Sequence, residues 1–150
     1  MPPLPLDWTL LGPTAFKIAI AYVLALPSGL MAEREGHAVG IRTFPIVAIA
    51  SCGYVLIMQG VGGPEALAND SRVLQGLIAG IGFIGGGAIL KDGLTVHGTA
   101  SAASIWNIGA IGASVAMGHA EIGIVLALLN IFTLKALIPI KRRLDEDKWL

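Results

Sequence analysis

The chain is poor in charge. Only 13% of its 150 residues are Asp, Glu, Lys or Arg, where a soluble domain carries about 25%. The deficit is uneven: charges gather in short clusters, and long stretches between them carry none. Cysteine is scarce too. Cys52 is the single one and lies in an apolar run, so it closes no intrachain disulfide and says nothing of redox compartment. The net charge is zero with histidines neutral, which leaves no overall field for nucleic acid. Met1 to Pro5 holds no basic residue. A cleavable signal peptide is therefore not expected, and the first apolar run should remain in the mature chain. No acidic residue lies deep in an apolar run. Cation-coupled carriers usually hold one there, which weighs against a self-sufficient secondary transporter.

What is abundant is apolar surface, at 55% hydrophobic residues, and glycine, at 20 residues. Five apolar runs stand out, at about 13–31, 44–61, 73–90, 99–117 and 121–140. Each is close to the roughly 20 residues that cross a hydrocarbon core. Helices are expected, because unpaired backbone groups are costly in lipid. A barrel would need short alternating segments, and none occurs. The predicted fold is an all-α membrane protein. Five transmembrane helices form one domain over 1–150, and residues 141–150 are a charged cytoplasmic tail. Lys17 should snorkel to the near interface. Pro27 should kink the first helix, or leave Ser28-Gly29 unwound. Pro45 suits a first helical turn, and Pro139 helps to end the fifth.

The loops set orientation. With five spans, the amino terminus, loop 63–72 and loop 118–120 share a side that holds Arg72 alone. The other side holds Arg34, Arg42, Lys91, Lys141, Arg142, Arg143 and Lys148. By the positive-inside rule the richer side is cytoplasmic. The carboxyl end is then inside and the amino end outside.

Glycines in the third run pair at spacing four: Gly76 with Gly80, and Gly82 with Gly86. Such pairs let a neighbouring backbone approach, and the fourth run answers with Ala100, Ser101, Ala103, Ser104, Gly109, Gly112 and Ala113. Close packing of the third and fourth spans is expected. The string Gly80-Ile-Gly-Phe-Ile-Gly85 also fits a phosphate-cradling pattern, but no strand precedes it and it lies mid-membrane.

Polar groups within the runs are few. Asn107 has two readings: an interhelical hydrogen bond worth roughly 0.6–2 kcal/mol, or part of a polar pathway or dimer contact together with Ser104. Asn130 has the same two readings. Gln59 and Gln75 lie near the outer surface, solvated or capping. At the inner face Glu33, Arg34 and Glu35 end the first span. Arg42 opens the second, Lys91 and Asp92 end the third, and His97 precedes the fourth. These charges are either solvated groups that fix topology, or a polar gate or docking surface. At the outer side stand Asp70, Arg72 and Glu121. His37, His97 and His119 fall on separate loops without metal-ligand spacing. No catalytic constellation is visible, and an enzyme is not expected. Nor is a cofactor: magnesium would find no ligand cluster, since Asp70 and Glu121 are too few without a second subunit.

Two stretches carry a resemblance: GLMAEREGHAVGIRT from Gly29 to Thr43, and SRVLQGLIAGIGFIGGGAILKDGLTVHGTASAASIW from Ser71 to Trp106. The GIGFIGGGAIL core, a basic-acidic-glycine turn, V-x-G and a small-residue run ending in Trp together resemble the MgtC/SapB family of bacterial inner-membrane proteins. The likeness covers essentially the whole hydrophobic part. It implies a multipass inner-membrane protein linked to growth in low magnesium and, in some pathogens, to survival inside host cells. It further implies a regulatory or accessory role, with inhibition of the F-type ATP synthase proposed for one branch. A homodimer in the lipid bilayer is the expected assembly. The alternative is a small dimeric transporter or channel for a cation or small solute.

Relatives with a soluble carboxyl-terminal domain resembling the ACT fold extend beyond the point where this chain stops, shortly after Ile140, and that domain is not expected here. Two departures bear on function. Where the family often reads D-P-x-R, this chain has Asn69-Asp70-Ser71-Arg72. Where it often reads L-[TN]-T-A-A, this chain has Thr99-Ala100-Ser101-Ala102-Ala103. The amide important in the virulence-linked branch would align with Ala100, which favours a general family member.

Overall fold

A computed structural model describes residues 7–34, 39–60, 66–93 and 95–137, with backbone alone for 66–70. The first helix, α1 (Trp8–Arg34), starts at Asp7. The Asp7 carboxylate accepts from the Thr9 amide (2.9 Å) and from the Thr9 hydroxyl (2.6 Å). These bonds satisfy an amide that a helix start leaves without a partner. They also hold the Asp7 carboxyl below the usual carboxylate range. A lowered acid stabilises the helix start above its unfolded pKa and loses that contribution as pH falls through the folded value. Acidification below about pH 4 is therefore expected to fray the first turn. Amide exchange at Thr9 should speed up there, and Asp7→Asn should remove the pH dependence.

Four more helices follow: α2 (Thr43–Gly60), α3 (Ala66–Gly87), α4 (Thr99–Ala116) and α5 (Ala120–Ala136). At 1.5 Å per residue α1 is about 40 Å long and α2 about 27 Å. Of the described helices, these two are long and apolar enough to cross a membrane. The helix α1 runs unbroken through Pro27, so the expected unwinding at Ser28-Gly29 does not occur. Contacts in the next turn hold it. Ser28 accepts a hydrogen bond from Asn130, and a Cβ on Gly29 would come to 3.1 Å from the Ile41 Cα.

Helix α4 is the axle of the bundle. Ser101, Ser104, Ile105, Ile108, Ile111, Gly112 and Val115 are all buried along it. It packs against the other four helices. Its closest approach is to α2, where Gly112 lies so near the Ala48 carbonyl oxygen that a Cβ would collide. Phe44, Val47, Ala48, Cys52 and Val55 of α2 complete that part of the core.

Between α3 and α4 the structure departs from a purely helical fold. Leu90–Asp92 (β1) and Thr95–His97 (β2) pair as an antiparallel hairpin, with Lys91 opposite Val96. Ala88 and Ile89 donate back to Gly85 and Gly86 and close the helix in tight turns. Gly93 and Gly98 then take positive φ, 57° and 84°, where a side chain would be strained. The third run thus turns helical seven residues earlier than expected and stops at Gly87. The loop expected at 63–72 is helical from Ala66, so Asp70 and Arg72 stand within α3 and not in an outer loop.

Candidate functional site

Three helices meet at one amide. Asn130 of α5 donates from Nδ2 to the Ser28 Oγ of α1 (3.0 Å). Its Oδ1 accepts from the Ser104 hydroxyl of α4 (3.2 Å). Ser28 and Ser104 are buried, at 0% and 2% exposure, and Asn130 is half-buried, so an unmade bond at either hydroxyl is expensive. One turn before Ser104, the Ser101 Oγ is buried without a partner among the described residues. On the neighbouring flank Asn107 donates to the Leu126 carbonyl (3.2 Å). Asn107, Asn130 and Thr133 line a small cleft of about 170 Å³ between α4 and α5, with Leu126 and Leu129.

Asn107 therefore makes the interhelical bond read from its position. Ser104 bonds across helices as well, through Asn130 and not through Asn107. Ser28 is the member that sequence reasoning missed as a partner. The available signal was a hydroxyl inside an apolar run, which must find a bond or a cost. Lys17 also does more than reach for an interface. Its Nζ donates to the Ala116 carbonyl at the end of α4 (2.8 Å). That oxygen is one of the orphan acceptors at a helix carboxyl end, where a cation is favoured. Lys17→Met should lower stability by about 0.5–1 kcal/mol, read as an earlier melting midpoint in detergent. An unchanged midpoint would mean that the capping bond contributes nothing.

The charged residues of the inner face are exposed and do not converge. Glu33 accepts from the Ile41 amide (3.2 Å) and so stitches the end of α1 to the approach to α2. A Cβ at Gly40 would displace the Glu33 carboxylate and come to 3.1 Å from the Glu33 amide nitrogen. Arg34, Arg42, Lys91 and Asp92 form no ion pair among the described residues. Lys91 and Asp92 sit on β1 and not at a helix end. Glu35, His37 and the basic tail from Lys141 lie outside the described residues, as does the Asp70 side chain. Arg72 is exposed on α3. His119 and Glu121 pair at 3.0 Å at the start of α5, both exposed. Among the described residues, no group of three or more His, Cys, Asp or Glu is placed to hold a metal ion.

The glycine pairs are not where the backbones meet. Around Gly76, Gly80, Gly82 and Gly86 an added Cβ would find nothing within 4 Å. The helices α3 and α4 touch instead at Gly85, 3.1 Å in the same sense from the Ala102 carbonyl oxygen, and at Gly109, which seats Ile81. Spacing four marks a smooth face; it does not say which smooth face is occupied.

The chain matches the MgtC family over residues 18–143. Protein SrpB of Synechococcus elongatus is 32% identical, across 96% of this chain and 81% of that protein. Protein MgtC of Brucella abortus is 29% identical, across 89% of this chain and 56% of that protein. YhiD of Escherichia coli K12, named as a candidate magnesium transporter, is 26% identical, across 89% of this chain and 64% of that protein. The chain thus spans most of the first and less than two thirds of the other two. No solved structure matches. A match over most of its length, with a relative 32% identical across 81% of that protein, means that the chain belongs to the MgtC family.

Proposed function

We propose that the chain is a multipass protein of the bacterial inner membrane that regulates or assists adaptation to low magnesium. All five helices span, residues 1–150 form one domain, and the amino terminus faces outward. Family membership and the apolar helices α1 and α2 support a membrane location. So does the outer surface, where Phe16, Ile57, Phe83, Leu128 and Phe132 are exposed, Phe83 by 86%. In water such a surface would aggregate; in lipid it is a solvated one. The observation that carries the regulatory reading is the amide at the centre. Asn130 spends both ends of its amide on Ser28 and Ser104. The polar groups there tie helices together, and the cleft that Asn130 borders with Asn107 and Thr133 is small, about 170 Å³. A bundle tied together in this way acts through its surface, on a second copy or on a membrane partner such as the F-type ATP synthase that the family resemblance implies.

Loss of the gene should impair growth at low magnesium and leave magnesium uptake unchanged. Affinity capture in mild detergent, at low and high magnesium, should return a second copy or a membrane partner. Magnesium flux into liposomes containing the purified chain would sink the regulatory reading.

Transport is the second reading, favoured by the name of YhiD and by the polar cleft at Asn107, Asn130 and Thr133. It requires a substrate-dependent flux that Asn107→Leu abolishes.

A further inference from the structure

A groove of about 280 Å³ lies between α3 and α4, and it is almost wholly apolar. Residues from Leu74 to Ile81 of α3 form one wall, and residues from Trp106 to Met117 of α4 form the other. Small side chains at Gly109, Ala110 and Ala113 keep the α4 wall low. Ser114 lines the groove too, but its hydroxyl is spent on the Ile111 carbonyl (2.8 Å). His119, just before α5, is the titratable residue of the lining. We propose that this groove binds a neutral amphiphile headed by a hydroxyl. His119 Nε2 accepts from that hydroxyl, and the apolar body lies past Ala110 towards Trp106.

The turn that carries His119 is fixed. Gly118 takes a φ of 85°, and the His119 amide donates to the Ser114 carbonyl (2.9 Å). The ring is fixed as well, through Nδ1, which lies 3.0 Å from the Glu121 Oε1. A carboxylate only accepts, so that bond needs the hydrogen on Nδ1. In the neutral ring Nε2 then keeps a bare lone pair, and it has no partner among the described residues. The polar end of the groove is therefore an acceptor that asks for a donor. Glu121 selects further, because its negative charge beside the ring disfavours an anionic head. An ammonium carries three donors against this one acceptor, and stranding the others beside an apolar groove is costly. A hydroxyl carries one donor and no charge. Trp106 and Met117 stand eleven helical steps apart, about 16 Å, which leaves the body a long apolar path.

Trp106 lines the groove and is 56% exposed, so it can report the occupant. The full chain, with Trp8→Phe and Trp149→Phe to silence the other indoles, is placed in phosphatidylcholine nanodiscs, whose lipid heads carry no hydrogen-bond donor. The probes are 11-bromoundecanol and its methyl ether, which share a body and differ in the donor. The alcohol should quench Trp106 saturably, at about fivefold lower concentration than the ether. His119→Phe keeps a ring and removes the acceptor, and should erase that preference. Glu121→Ala frees the hydrogen to move to Nε2, and most of the preference should be lost. Ala110→Phe fills the groove from an exposed position and should weaken both probes by at least about tenfold. Quenching that never saturates would overturn the proposal, since it reports partition into lipid alone. So would equal quenching by alcohol and ether, a preference that survives His119→Phe, or tighter binding of 11-bromoundecylamine than of the alcohol. Such a ligand reaches the groove from lipid, so the site rests on the membrane reading above. Release of the chain from membranes by alkaline carbonate would overturn both, whereas failure of the quenching arms alone overturns only the site.

Discussion

Gly112→Ala should lower the melting midpoint by about 3–10 °C, whereas Gly76→Ala should leave it unchanged or raise it. The chemistry of the two changes is identical: one methyl is added to a helix. In the first case the methyl collides with the Ala48 carbonyl oxygen and comes to 3.0 Å from the Ser51 Cβ. Both belong to α2, and Ala48 presents backbone, which cannot rotate aside. Overpacking of this kind costs about 1–3 kcal/mol. In the second case nothing lies within 4 Å, and alanine favours the helix over glycine by up to about 1 kcal/mol. Detergent-solubilised protein followed by circular dichroism measures both. Equal midpoints would show that α2 and α4 do not meet at Gly112.

Asn130→Leu should be at least as damaging, by about 2–3 kcal/mol. Two interhelical bonds are lost, and the Ser28 and Ser104 hydroxyls are left buried without the partner they had. The added apolar volume does not replace those bonds. The triple variant Ser28→Ala, Ser104→Ala, Asn130→Leu should recover part of the loss, because nothing polar is then stranded. Unfolding in sodium dodecyl sulfate, followed for all variants, resolves the coupling. A triple variant no better than Asn130→Leu alone would mean that the three side chains do not act as a unit.

The five helical runs were legible because apolar length is a local property. From Thr43 to Gly60 the run and the helix agree to within a residue. The hairpin was not legible. Leu90 to Asp92 reads as the end of an apolar run, yet the chain turns back beside Gly93, which takes positive φ, and Gly98 takes positive φ where β2 gives way to α4. A glycine can serve a left-handed turn, a close approach or a smooth face, and its letter is the same for all three. Hence Gly76, Gly80, Gly82 and Gly86 read like Gly85, although only Gly85 meets a neighbouring backbone. The polar residues were half legible. The cost of burying Asn107, Ser104 and Asn130 follows from sequence, but pairing Asn130 with Ser28 spans 102 positions and depends on how α1 and α5 cross.

The bond set at the centre has a consequence for the cell. Serine hydroxyls and an asparagine amide neither gain nor lose a proton across the range a bacterium survives. The junction of α1, α4 and α5 therefore stays closed in acid, while the Asp7 cap at the start of α1 lets go. Acid stress would loosen the rim of the bundle and leave its hub intact.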